Sequence, residues 1–238
     1  MELQAHLIAE NLRSAGWFRP EITLTFGSMA VFVLDLLWRR SPARVALLTL
    51  ATLLALAVTA AFLWVQPATP QPLFNGLIAN DAFASFFKWL FLGAAALTVL
   101  IAAQGRDFPS VRIGEFYALL LAIVLGMFLM ASATDLLTMY MSIELVSMVS
   151  YVLTGYRKGD RKASEASLKY VIYGGVASGG MGFGVSWLYG LLGATQGLGF
   201  AQRLLAPPQG GAGQGALGLG GGLGSAGVGF KGAGGALA

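Results

Sequence analysis

The chain has 238 residues, of which 56% are hydrophobic and only 11% charged, and its formal net charge is +4. A water-soluble domain carries roughly 25% charged residues, so this composition lacks the polar groups needed to cover a surface facing water, and so modest a charge does not point to nucleic acid. Cysteine is absent, which excludes disulfides, iron–sulfur clusters, thiolate metal sites and cysteine nucleophiles.

The single histidine, His6, lies in a terminal segment, so no His-based zinc or haem site is expected. Any chemistry must use carboxylates, lysines, hydroxyls and water. The first twenty residues carry Glu2, Glu10, Arg13 and Arg19 where a cleavable signal peptide would have an apolar stretch, so none is expected. Residues 1–19 read as a terminal segment, either a short interfacial helix or, more plainly, a frayed end.

A membrane-crossing helix needs about 20 mostly apolar residues at about 1.5 Å each. Six segments qualify, which predicts an all-α, polytopic bundle over residues 20–200. The first covers 21–38, with Pro20 suited to a helix start and Asp35 four residues before Arg39. The second, 45–65, has no charge at all. The third, 82–103, starts at Asp81 as N-cap and contains Lys88 about two turns in, near the outer face, where it reads as a snorkelling lysine. The fourth, 116–133, is uncharged. The fifth, 135–156, contains Glu144, and the sixth runs from 164 past 190 and contains Lys169. Residues 201–238 form a Gly-rich tail or a poorly represented seventh helix; from 207 to 238, 14 of 32 residues are glycine.

Loop charge predicts orientation. Arg39, Arg40 and Arg44 follow the first span, Arg106 and Arg112 the third, and Arg157, Lys158, Arg161 and Lys162 the fifth; loops 66–80 and 132–134 have neither Lys nor Arg. Basic loops stay in the cytoplasm. Each of these follows an odd number of spans, which puts the N-terminus outside.

Glu144 lies nine residues into the fifth span, roughly 13 Å from its outer end and hence near the bilayer midplane. A carboxylate at that depth costs several kcal/mol unless it is protonated, paired or wetted. Tyr140, Ser147 and Tyr151 share its helix face and could hold a water chain. The plain alternative is a protonated Glu144 that only hydrogen-bonds a neighbouring helix. Lys169 lies roughly 10 Å inside the cytoplasmic end of the sixth span, one turn after Glu165 in the favourable Glu-then-Lys order; it reads as a functional lysine or as a snorkeller. By depth, Glu144 and Lys169 are offset by about 10 Å along the normal, too far for contact without bridging water or another lysine. Asp35 and Asp135, at helix ends, fit local pairing or capping. Gly175/Gly179, Ser178/Gly182 and Gly180/Gly184 form small-xxx-small patterns that permit close helix contact.

The run Asp135-Leu-Leu-Thr-Met-Tyr-Met-Ser-Ile-Glu144-Leu-Val-Ser-Met, then Tyr151-Val-Leu, a basic loop and Ser164-Glu-Ala-Ser-Leu-Lys169-Tyr170, resembles the antiporter-like subunit N of respiratory complex I and the chloroplast subunit 2. Pro20-Glu21-Ile22 with Asp35, and Leu188-Tyr189-Gly190 with Gly193-Ala194-Thr195, fit the same pattern, over about residues 20–200. The resemblance implies a membrane-arm subunit of a proton-translocating NADH–quinone oxidoreductase in the bacterial inner membrane. Its partners would be lipid and the other complex I membrane subunits, and it would hold no redox cofactor of its own. It gives Glu144 the role of a glutamate that tunes axial lysines, Lys169 that of the sixth-helix lysine, and Lys231, in Gly229-Phe230-Lys231, that of the seventh-helix lysine. Members of the family are considerably longer and carry a second, inverted half, so the chain shows the first half of such a fold. A subunit of a multi-subunit cation/proton antiporter shares the fold and is the alternative; a structural or assembly role without transport is a third reading.

Overall fold

In the computed structural model, residues 2–38, 43–66, 71–104, 112–157, 159–193 and 195 are described. They divide between Ala133 and Thr134 into two compact units.

The first unit contains α1 (Glu2–Trp17), α2 (Arg19–Leu37), α3 (Arg44–Val65), a hairpin of β1 (Gln71–Leu73) and β2 (Ile78–Asn80), α4 (Ala82–Gln104) and α5 (Ile113–Ser132). α2 begins with Pro20 in its first turn, where the missing N–H costs nothing. The Asp81 carboxylate caps α4 by accepting from Ala84 N at 2.7 Å. α1 is helical, so the end of the chain is not simply frayed. α5 is the most enclosed helix of the unit, packed by α2, α3 and α4. Its Tyr117, Leu121, Val124 and Phe128 are all fully buried and recur at three- and four-residue spacing, the period of one helix face.

Lipid offers backbone and hydroxyl groups no partner, so the hydroxyls turn inward or back on their own helix. Thr49, Thr52 and Thr59 donate to carbonyls four residues earlier in α3. Ser28 of α2 donates to Ala118 O of α5 at 2.9 Å, and the hydroxyls of Thr49 and Tyr117 lie 3.0 Å apart.

Two buried ion pairs fasten α2 at its two ends. Asp35 accepts from Arg44 Nε at 2.8 Å and Nη2 at 2.5 Å. Its buried partner is thus the first residue of the returning helix. Near the other end, Lys88 Nζ lies 2.6 Å from Glu21 Oε1, with 5% and 2% of the two side chains exposed. This corrects the snorkelling reading of Lys88. A lysine in lipid reaches for the interface when nothing inside answers its charge, and here a carboxylate on α2 does.

The hairpin was not legible as strands. Phe74, Asn75 and Gly76 turn it with φ of 51°, 58° and 82°, as an Asn-Gly turn favours. The Phe74 ring meets Phe18 edge-on at 5.4 Å.

The second unit contains α6 (Leu136–Thr154) and α7 (Arg161–Leu192), packed on each other. α2 to α6 are each long and apolar enough to cross a membrane. α7 has the length, at 32 residues, but its seven glycines and its hydroxyls lower its mean hydropathy below theirs.

Gly114 of α5 has no room for a side chain, because a Cβ there would collide with the Asp35 carboxyl group. Gly93 of α4 has open space. Gly114→Ala is therefore expected to cost about 3–5 kcal/mol by prising apart the Asp35–Arg44 pair, whereas Gly93→Ala should change stability by about 1 kcal/mol or less. Unfolding of the two purified variants in detergent checks this, and equal effects would contradict it.

Candidate functional site

The second unit is built around Glu144. α6 starts at Asp135, whose side chain accepts from Leu137 N at 3.0 Å and Thr138 N at 3.1 Å, the capping expected of it. From that start, the helical period places Tyr140, Glu144, Ser147 and Tyr151 along one face. α7 starts at Asp160, which caps Lys162 N at 2.9 Å. It ends at Gly193, in the left-handed region at φ 60°.

The two helices meet along Gly174, Ser178 and Gly182. Ser178 Oγ lies 3.0 Å from Glu144 Oε2 and 2.8 Å from Gly174 O, so its one proton serves either acceptor. Tyr140 OH donates to Ser178 O at 3.4 Å. The glycines on either side of Ser178 are notches. A Cβ at Gly174 would collide with the Tyr151 hydroxyl, and one at Gly182 would lie 3.1 Å from the Tyr140 hydroxyl. Small residues spaced four apart let helices approach in a membrane; here they also admit two tyrosine rings on either side of the acid. Tyr151 packs edge-on against Tyr170 at 4.7 Å, is 7% exposed, and its hydroxyl has no hydrogen-bond partner among the described residues. Ser167 Oγ donates to Tyr151 O at 2.9 Å.

A cavity of about 400 Å³, bordered by Tyr140, Gly182, Ser186 and Tyr189, reaches from beside this cluster to Leu137 in the first turn of α6. The site thus combines a carboxylate, a hydroxyl that can donate to it, and a tyrosine hydroxyl one residue-length away beside open volume. Such a set can hold a proton and pass it along hydroxyls.

Lys169 is not part of this cluster. Its Nζ lies 2.7 Å from Glu165 Oε1, with 52% and 60% of the two side chains exposed, so the pairing expected from the four-residue spacing is present. Ser178, which meets Glu144, is nine residues beyond Lys169, about 13 Å along the helix. The structure therefore brings Glu144 to Ser178 and Tyr140, and keeps Lys169 with Glu165. Lys231 lies outside the described residues. In the sequence Ser178 reads only as a packing residue. Its one signal was its place, four residues from Gly174 and from Gly182, on the helix following an intramembrane acid.

Comparison with known proteins agrees with this architecture. Residues 133–231 match the family described as NADH:quinone oxidoreductase/Mrp antiporter, transmembrane. NADH-quinone oxidoreductase subunit N of Anaeromyxobacter sp. (strain Fw109-5) is 71% identical over 195 residues, covering 82% of this chain and 38% of that protein. Subunit N 2 of Chloroherpeton thalassium is 44% identical over 193 residues, covering 79% of this chain and 37% of the relative. A chain of respiratory complex I from Thermus thermophilus with bound aureothin superposes with a TM-score of 0.68 at 31% identity, over 89% of this chain and 43% of that one. A chain of the archaeal membrane-bound sulfane sulfur reductase has the same fold, with a TM-score of 0.72 at 22% identity, over 90% of this chain and 44% of that one. The chain spans less than two-fifths of the length of these two curated relatives. It is a multi-pass membrane protein that belongs to the family of antiporter-like subunits N of NADH-quinone oxidoreductase.

Proposed function

We propose that this chain works within a membrane-arm subunit of a proton-translocating NADH–quinone oxidoreductase of the bacterial inner membrane, beside the other membrane subunits. It contributes no electron carrier. Its part is to hold and release protons as electron transfer elsewhere alters the local field. The observation that carries this reading is the Ser178 hydroxyl 3.0 Å from Glu144 Oε2 in a helix pair notched by glycine. A hydrogen-bond donor at that distance stabilises the carboxylate, and a proton on Glu144 removes the charge that lipid penalises. Each state thus has a physical support, as a proton-holding group requires.

In this reading Glu144 is the acid, Ser178 is its hydrogen-bond donor, Tyr140 holds the Ser178 carbonyl beside it, and Lys169 and Lys231 are lysines whose charge it senses at a distance. Glu165 pairs with Lys169, so movement of Lys169 toward the acid needs that pair to open. Because the matched family also includes Mrp antiporters, a subunit of a cation/proton antiporter is the second reading. Transport that depends on Na⁺ and ignores quinone-site inhibitors would favour it.

In the assembled complex, Glu144→Ala is expected to lower the number of protons moved per NADH oxidised, read from vesicle acidification against NADH consumption. Pumping at the normal ratio would sink the reading. Orientation gives a separate test, since the chain has no cysteine. In right-side-out membrane vesicles, Leu77→Cys in the hairpin should react with an impermeant maleimide, and Ala163→Cys should react only after permeabilisation. The reverse pattern would invert the proposed topology.

A further inference from the structure

A second acid lies deeper inside these helices than the half-buried Glu144. Glu21 of α2 is 1% exposed and Lys88 of α4 is 4% exposed, and they meet at 2.6 Å through Glu21 Oε1. The other carboxylate oxygen, Glu21 Oε2, is buried with no hydrogen-bond partner among the described residues. The Lys88 ammonium also lies 5.7 Å from the centre of the Phe128 ring. One helical turn beyond Phe128 on the same face of α5, Ser132 Oγ is likewise buried without a partner.

The other pair on α2 shows what a purely fastening contact looks like. Asp35 takes two hydrogen bonds from Arg44, and a guanidinium keeps its proton at any pH a protein meets. Lys88 differs, because an ammonium in a protein interior gives up its proton far more readily than a guanidinium. A buried ion pair is repaid only when further hydrogen bonds satisfy the remaining acceptors, and at Glu21 one acceptor is left open. The first pair rests on a cation that keeps its proton, and the second leaves Glu21 Oε2 open.

We propose that Glu21 and Lys88 form a second proton-holding site, with Glu21 Oε2 as the atom that takes up and releases the proton. Uptake forms an O–H bond at Oε2 and leaves a carboxylic acid beside the Lys88 ammonium. Release breaks that bond and restores the ion pair. The Lys88 Nζ–H can also pass to Oε1, giving a neutral amine and a neutral acid with no change in net charge.

Few other charges bear on the pair. α2 carries no further ionisable group between Glu21 and Asp35, which is fourteen residues away, about 21 Å along the helix. α3 has none after Arg44, and α5 none after Tyr117. Arg19 at the start of α2 is exposed, and Asp81 is engaged in capping α4. Arg13 of α1, which packs on α2, is exposed, and Lys88 is the charge that meets Glu21.

The role in transport rests on the function proposed above, and the test separates the two. Removing one partner leaves a buried charge uncompensated, so the single variants are expected to assemble poorly, whereas Glu21→Gln/Lys88→Met removes both charges. In the assembled complex this double variant should oxidise NADH and show a loss of protons moved per NADH. The wild-type ratio in the double variant would reduce the pair to a fastening and overturn the proposal. A second measurement needs neither electron transfer nor the double variant. Infrared difference spectra of the purified protein between acid and alkaline pH should contain a carboxylic-acid band that shifts in Glu21→Asp. Identical bands in wild type and Glu21→Asp would overturn the site outright. Normal pumping by Glu144→Ala, with the Glu21 band present, would instead sink the proposed function and leave the site standing.

Discussion

Hydrocarbon supplies no hydrogen bonds, and this one constraint organises everything polar in the chain. Three acids within the spanning helices are met by a group on another helix: the buried Glu21 by Lys88, the buried Asp35 by Arg44 and the half-buried Glu144 by Ser178. The hydrophobic effect does not hold helices together in lipid as it does in water. Close packing and these few polar contacts must do so. That is why α5, with its fully buried face from Tyr117 to Phe128, sits among three other helices of the first unit.

The same constraint explains where glycine is needed. Gly114 admits the Asp35 carboxyl group, Gly174 the Tyr151 hydroxyl and Gly182 the Tyr140 ring. In each case the missing side chain makes space for a polar group to reach its place inside the bundle. Gly175, Gly179 and Gly180, in the same helix as the last two, have open space where a Cβ would stand. Glycine content alone therefore does not reveal which positions are under steric demand. The three acids also differ in how tightly their charge is fixed. Arginine holds Asp35, lysine holds Glu21, and a neutral hydroxyl faces Glu144.

Much of the fold was legible because the solvent is lipid. Long uncharged runs give the spans, so α3 and α4 fall within a residue of their expected limits. Asp81 and Asp135 cap helices through their own side chains, a local contact that sequence spacing encodes, whereas the cap at Asp160 starts α7 three residues before the expected 164. Pairing across helices has no such signature. Nothing in the spacing between Glu21 and Lys88, 67 residues apart, distinguishes an ion pair from two snorkelling side chains. The hairpin was missed for a related reason: its three-residue strands are too short to show a period. At the candidate site, Glu144 stood out as an acid at membrane depth, while Ser178 did not, because a serine among glycines also suits plain packing.

The central claim is that Glu144 changes its protonation while its carboxyl group faces Ser178. Infrared difference spectroscopy of the assembled complex, before and after NADH is added, observes that group directly. The account requires a carboxylic-acid band that vanishes in Glu144→Gln and shifts in Ser178→Ala, where the hydroxyl facing it is gone. A spectrum unchanged by both substitutions would contradict the claim, leaving Glu144 as a packing residue with a fixed proton.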